Sequence, residues 1–295
     1  MNRGIAFGVG AYLLWGLLPI YWKAIESVDS LEILAHRIVW STLLLGAIVG
    51  LRRSWPEIRG LQRGSLVRLL VAGSLLTLNW ATYIWAVNNG HIVESSLGYF
   101  INPLFNVALG VIVLRERLDP IQWAAIGIAA GGVAYMTVTV GAIPWIALVL
   151  ATSFAFYALL KKQMVAIGPF ESLTVEIAFV LVPAVGFLVI LAGRGDGSFV
   201  AAGPRVSVLL IMTGLATALP LLLFGAAATR VPLSTIGLLQ YIAPTMQFLI
   251  GVLVYDELVG RDRLVGFTLV WLALVIYTIN GLVRRRRDIP QPLAA

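Results

Sequence analysis

The chain has 295 residues, 60% of them apolar or aromatic and 12% charged, with a mean hydropathy of +0.94. A water-soluble domain carries roughly a quarter charged residues and under half apolar ones, so lipid replaces water around most of this fold. Soluble enzymes, secreted scaffolds and nucleic-acid-binding domains are excluded, and the net charge of +7 needs another origin.

About 20 apolar residues of helix cross the ~30 Å hydrocarbon core of a bilayer, and runs lacking Asp, Glu, Lys and Arg mark such spans. The first covers about 4–24, behind Arg3. Its apolar run exceeds a signal-peptide core and no small-x-small cleavage site follows Tyr21-Trp22-Lys23, so it is expected to be retained. The second, 31–51, carries Glu32, His36 and Arg37 near its start, and the third and fourth cover 67–88 and 92–114. A charge-free run over 120–160 would be about 60 Å long as a helix. It must fold back, and Gly141-Ala142-Ile143-Pro144 is the natural turn, giving spans 121–140 and 144–163. Spans 171–193 (with Glu176), 206–229, 231–255 and 263–283 complete ten, before a basic tail over 284–295. Hydrophobicity is continuous rather than alternating, which argues against a membrane barrel. The predicted class is an all-α integral membrane protein.

Basic residues in short loops stay cytoplasmic. With the N-terminus inside, 15 of the 21 Lys and Arg fall on the cytoplasmic side and five on the other, and Arg37 lies within a span. Topology therefore accounts for the basic balance without a nucleic-acid partner. Arg284, Arg285, Arg286 and Arg287 are placed to meet anionic lipid headgroups.

Shifted by 141 residues, the chain matches itself: Leu97, Ile101, Pro103, Gly110, Val111, Val113 and Glu116 meet Leu238, Ile242, Pro244, Gly251, Val252, Val254 and Glu257. Gly73 meets Gly214, and at 139 residues Lys23 meets Lys162 and Glu32 meets Glu171. Apolar matches are cheap between membrane helices, but Pro, Gly and Glu in fixed order are not. Each copy holds five spans, and an odd number inverts the second copy. Repeats over 4–140 and 144–283 then surround a central cavity, the architecture of transporters that expose a midplane site to each side in turn.

Intramembrane polar groups face a bundle interior or a wet cavity. Asn79, Trp80 and Tyr83 share one side of the third span, and Tyr99 and Asn102 follow in the fourth beside Pro103. Gln240 and Tyr241 hold the matching place beside Pro244. Prolines interrupting two corresponding helices are expected to kink them at the binding site. Trp15, next to Gly16, is placed to wall an aromatic pocket, whereas Trp22, Trp123 and Trp145 read as interface anchors. Arg37 and its counterpart Glu176 sit near opposite mouths, too far apart for a direct pair, so each is expected to polarise one mouth. His36, Glu94 and Glu176 are candidate proton carriers. Cysteine is absent, there are two histidines, and no phosphate-binding loop or hydrolase motif occurs. No catalytic residue, metal or cofactor is expected, and active transport would draw on an ion gradient such as protons.

Trp85-Ala86-Val87-Asn88-Asn89 and Ser96-Leu97-Gly98-Tyr99-Phe100-Ile101-Asn102-Pro103-Leu104, with His36-Arg37-Ile38-Val39-Trp40, Ser153-Phe154-Ala155-Phe156-Tyr157, Ala227-Ala228-Thr229-Arg230 and Gln240-Tyr241-Ile242-Ala243-Pro244-Thr245, carry a resemblance. Over about 4–283 the chain resembles the RarD, or chloramphenicol-sensitive protein, branch of the EamA group of drug/metabolite transporters. The resemblance implies ten helices in two EamA repeats, a bacterial inner membrane, and export or exchange of small molecules. Where that family has Gly-Glu after its fourth and ninth helices, this chain has Arg115-Glu116 and Asp256-Glu257. The expected function is a secondary transporter of a small, partly aromatic solute contacted by Trp15, Arg37, Asn79, Trp80, Tyr83, Tyr99, Asn102, Gln240 and Tyr241. The alternative is a non-transporting membrane scaffold or sensor bundle.

Overall fold

Asp29 opens the second long helix by accepting hydrogen bonds from the Leu31 and Glu32 amides at 2.8 and 3.4 Å, and short polar turns of this kind separate long apolar helices throughout the chain. The structure, a computed structural model, describes residues 3–88, 92–140, 145–164, 166–254 and 261–287. Every regular element among them is helical: α1 (Arg3–Lys23), α2 (Ser30–Leu51), α3 (Trp55–Arg59), α4 (Arg63–Asn88), α5 (Ile92–Ile112), α6 (Pro120–Val140), α7 (Trp145–Gln163), α8 (Pro169–Ala178), α9 (Leu181–Arg194), α10 (Pro204–Ala228), α11 (Leu233–Leu239), α12 (Ile242–Val254) and α13 (Arg261–Arg287). Among the described residues, seven spans are by length and composition long and apolar enough to cross a membrane, α11 and α12 counting as one, or eight if the bent pair α8/α9 is also one. Each predicted span overlaps a helix or a consecutive pair. The expected turn at 141–144 lies outside the described residues.

The outer surface is what lipid requires. Leu51, Ile112, Val138, Val182 and Leu253 are all about three-quarters exposed or more, and apolar side chains surround α1 and α6 on every side.

Two departures from the predicted spans have local causes. The seventh is bent by 49° between α8 and α9. Pro183 lacks an amide and its ring crowds the carbonyl four residues back, that of Phe179, at the break. The ninth divides at Gln240 and Tyr241, just before Pro244, whereas α5 continues through Pro103.

Helix α1 packs on α10 and α12, and α7 packs on α4 and α5. Helix α2 lies against α8, α9 and α10, α5 against α11, and α6 against α13. Glycine permits the closest crossings. A Cβ on Gly214 would stand 2.6 Å from the Trp40 carbonyl carbon, and one on Gly73 would collide with the Glu176 backbone. At the centre Tyr12, Trp15, Phe154, Tyr157 and Phe224 form an aromatic cluster, with centroids 5.3 Å apart for Phe154–Phe224 and 5.9 Å for Trp15–Phe154.

Candidate functional site

A cavity of about 530 Å³ lies above this aromatic cluster. Its walls come from α1, α2, α4, α5, α7, α10 and the α11–α12 break, and its rim includes Lys23, Glu26, Val28 and Ser30 in the α1–α2 turn. At the rim Lys23 pairs with Glu26 at 2.9 Å. Trp15, Arg37, Asn79, Trp80, Tyr83, Tyr99, Asn102 and Gln240 all line it.

Tyr241, the ninth expected contact, does not. Its side chain is fully buried, its hydroxyl donates to the Phe100 carbonyl at 3.3 Å, and its ring packs 6.4 Å from that of Phe100. The break after α11 puts Gln240 on the cavity wall and leaves Tyr241 to hold α5.

Arg37 projects from the inner face of α2. Its Nε donates to Thr217 Oγ1 at 2.9 Å, and its guanidinium lies over the indoles of Trp22 and Trp80, 5.0 and 4.7 Å from the centroids. Trp22 is therefore a wall of the site rather than an interface anchor. Trp123 and Trp145 are about half exposed, the placement expected of anchors. Asn79 spends both amide hydrogens on α7, donating to the Leu150 carbonyl at 2.9 Å and Ser153 Oγ at 3.0 Å. Gln240 Oε1 accepts from Asn106 Nδ2 at 2.9 Å, tying the α11–α12 break to α5. Tyr83 and Tyr99 meet edge to face at 5.7 Å.

The opposite end of the bundle is closed by polar contacts. Glu116 accepts from the Leu233 amide (2.6 Å), the Ser234 amide (3.1 Å) and Ser234 Oγ (2.7 Å), clasping the start of α11. Lys162 donates to the Val231 carbonyl, and Ser54 Oγ donates to Glu171 at 2.6 Å. A second cavity of about 260 Å³, lined by Lys161, Ser172, Thr229 and Arg230 among others, lies at this end.

Glu176 is not at a cavity mouth. It forms a buried network in which Lys161 Nζ lies 2.8 Å from Oε1, Ser172 Oγ donates at 2.6 Å and the Tyr157 hydroxyl at 3.1 Å. Lys161 stands in the last turn of α7, and nothing in linear order marks a partner fifteen residues on. His36 also sits off the large cavity: Nδ1 accepts from Trp40 Nε1 at 3.2 Å, and Nε2 is 3.8 Å from Glu32. The side chain of Glu94 lies outside the described residues. Thr217, Trp22, Tyr12 and Phe154 are wall residues outside the expected set of contacts. Trp22, one helical turn beyond Leu18 and Pro19 of the same wall, carried a periodicity signal.

An apolar helical shell around a polar, aromatic, one-ended cavity defines a multi-pass membrane protein with an internal site for a small molecule. The EamA-like transporter family model matches residues 2–138. A protein named RarD from Streptomyces exfoliatus is 49% identical over 97% of this chain and 91% of its own length. An uncharacterized transporter from Vibrio cholerae is 42% identical over 95% of this chain and 93% of its own. The chain belongs to the EamA-like transporter family, among its RarD-type members, and is a bacterial multi-pass membrane transporter. A solved crystal structure only 17% identical superposes with a TM-score of 0.71 over 94% of this chain and 97% of that one, a likeness of fold.

Proposed function

We propose that the chain is a secondary transporter of the bacterial inner membrane that exports or exchanges small metabolites or drugs by alternating access. Ten spans form two inverted five-helix repeats, 4–140 and 144–283, with both termini and the 284–295 tail cytoplasmic. The observation that carries the reading is the cavity between the halves, open at the α1–α2 turn and sealed at the other end by Glu116, Lys162 and their partners.

The packing supports the inverted relation. Exchanging each helix for its counterpart turns α1 on α10 into α7 on α4, and α1 on α12 into α7 on α5. Phe100 and Tyr241, 141 residues apart, touch each other, as residues beside a pseudo-two-fold axis do. Gly73 meets the helix bearing Glu176 as Gly214 meets the helix bearing Trp40. Rocking of one repeat against the other would transfer the opening.

Trp15, Arg37, Asn79, Trp80, Tyr83, Tyr99, Asn102 and Gln240 are assigned to the solute, and Tyr241 to positioning α5. Among the candidate proton carriers, the buried network of Glu176 with Lys161, Tyr157 and Ser172 supports Glu176 best. The test is solute flux in proteoliposomes, in which Arg37→Ala and Asn102→Ala are expected to abolish transport while leaving the melting profile intact. Wild-type flux in both would remove these residues from the pathway. Absence of any flux by the wild type would favour a scaffold or sensor.

A further inference from the structure

Among the described residues, the cavity wall carries one cation, Arg37, with no carboxylate partner. Each buried carboxylate among the described residues has its own partners, Glu171 accepting from Ser54. Glu32 accepts from the Ser198 and Phe199 amides at 2.7 and 3.2 Å, and Glu176 is bound to Lys161. At the rim, Glu26 pairs with Lys23. Among the described residues no carboxylate lies within ion-pair distance of Arg37. A charge inside a membrane protein without a partner is costly and marks a ligand pathway.

The geometry of Arg37 is that of a receptor. Thr217 fixes Nε, and Trp22 and Trp80 cover the guanidinium. The two terminal nitrogens make no hydrogen bond to any described residue, so their in-plane fork stays available. Such a fork matches the two oxygens of a carboxylate.

Two further wall groups have no hydrogen-bond partner among the described residues. The Asn102 side-chain oxygen and the Tyr12 hydroxyl are buried, at 2% and 1% residue exposure, with no hydrogen bond to described residues. A carbonyl oxygen only accepts, so Asn102 calls for an N–H or O–H on the solute. Between these poles the wall is aromatic: Trp15, Tyr83, Tyr99 and Phe154.

We infer that the cavity recognises an aromatic organic carboxylate that also carries a hydrogen-bond donor, with the carboxylate on Arg37, the ring against Trp15, Phe154 and the two tyrosines, and the donor on Asn102. The inference rests on the transporter reading for its biological sense, but binding tests it separately.

The probes are hippurate, which has ring, amide N–H and carboxylate; hippuramide, its neutral analogue; 4-phenylbutyrate, which keeps ring, chain length and carboxylate but lacks the amide; and benzylammonium. Purified protein in lipid nanodiscs is melted with each at millimolar concentration, since binding to the folded state raises its apparent stability. Hippurate is expected to bind at least tenfold more tightly than hippuramide and several-fold more tightly than 4-phenylbutyrate. Arg37→Gln should erase the first preference and Asn102→Ser the second. Thr217→Val, which releases the guanidinium, should weaken hippurate several-fold even if Arg37→Gln fails to fold. Hippuramide or benzylammonium binding as tightly as hippurate, or no shift with hippurate, would overturn the inference. In proteoliposomes the two readings separate. Bound hippurate that never crosses would support the anion site and refute transport of this solute through it. Flux of hippuramide or benzylammonium with hippurate excluded would support transport and refute the anion site.

Discussion

Replacing Lys161 with Met should destabilise the protein by about 3 kcal/mol, the lower end of the ~3–5 kcal/mol typical when one partner of a buried ion pair is removed. Lys161 and Glu176 are 4% and 0% exposed at the side chain, so solvent screens neither strongly. After the substitution Glu176 keeps the hydrogen bonds from Ser172 and Tyr157, which hold the cost to the lower end. Glu176→Gln should cost less, about 2 kcal/mol, because Lys161 borders the 260 Å³ cavity and can hydrate there. The double variant Lys161→Met/Glu176→Gln removes both charges, and the Gln carbonyl can still accept from Ser172 and Tyr157. It should fall within about 2 kcal/mol of wild type, since removing both charges of a buried pair leaves neither one uncompensated. The cycle therefore gives a coupling of about 3 kcal/mol. Equilibrium unfolding in mixed detergent micelles measures all four proteins. Additivity of the single changes to within about 0.5 kcal/mol would refute the network as an energetic unit.

Gly214→Ala should cost about 1–3 kcal/mol through a forced separation of α10 from α2, whereas Gly46→Ala, where an added Cβ meets nothing within 4 Å, should cost none; thermal melts of the two compare them directly. Glu116→Gln retains an acceptor but loses the charge at the start of α11, and should lower stability by about 1–2 kcal/mol in the same unfolding assay. Equal melting of this variant and wild type would remove Glu116 as a closure.

The long apolar runs were legible because a helix in lipid must be apolar along its whole exposed length, and the loops announced themselves by charge. Most of the cavity wall was legible for the complementary reason: Asn79, Asn102 and Gln240 are too costly to face lipid. What escaped depends on how helices meet. Pro183 could not be separated from the prolines that α1 and α10 absorb without a break, Pro19 and Pro220. Lys161 looked like an end-of-helix charge until α8 turned back and brought Glu176 beside it. Trp22 has the composition of an interface anchor, and only the inward tilt of Arg37 shows what its ring covers. Tyr241 shares the polarity of Gln240, but the helix break turns adjacent residues to different surroundings.

The chain lacks cysteine, so single thiols can be placed at will. Asn79→Cys, Asn102→Cys and Gln240→Cys in oriented vesicles, treated with a membrane-impermeant thiol reagent, test the hydrated, alternately opened centre most directly. The expected result is labelling of all three from the side of the α1–α2 turn, and from the opposite side once a solute gradient drives turnover. Three thiols that stay unlabelled from both sides under every condition would contradict the account.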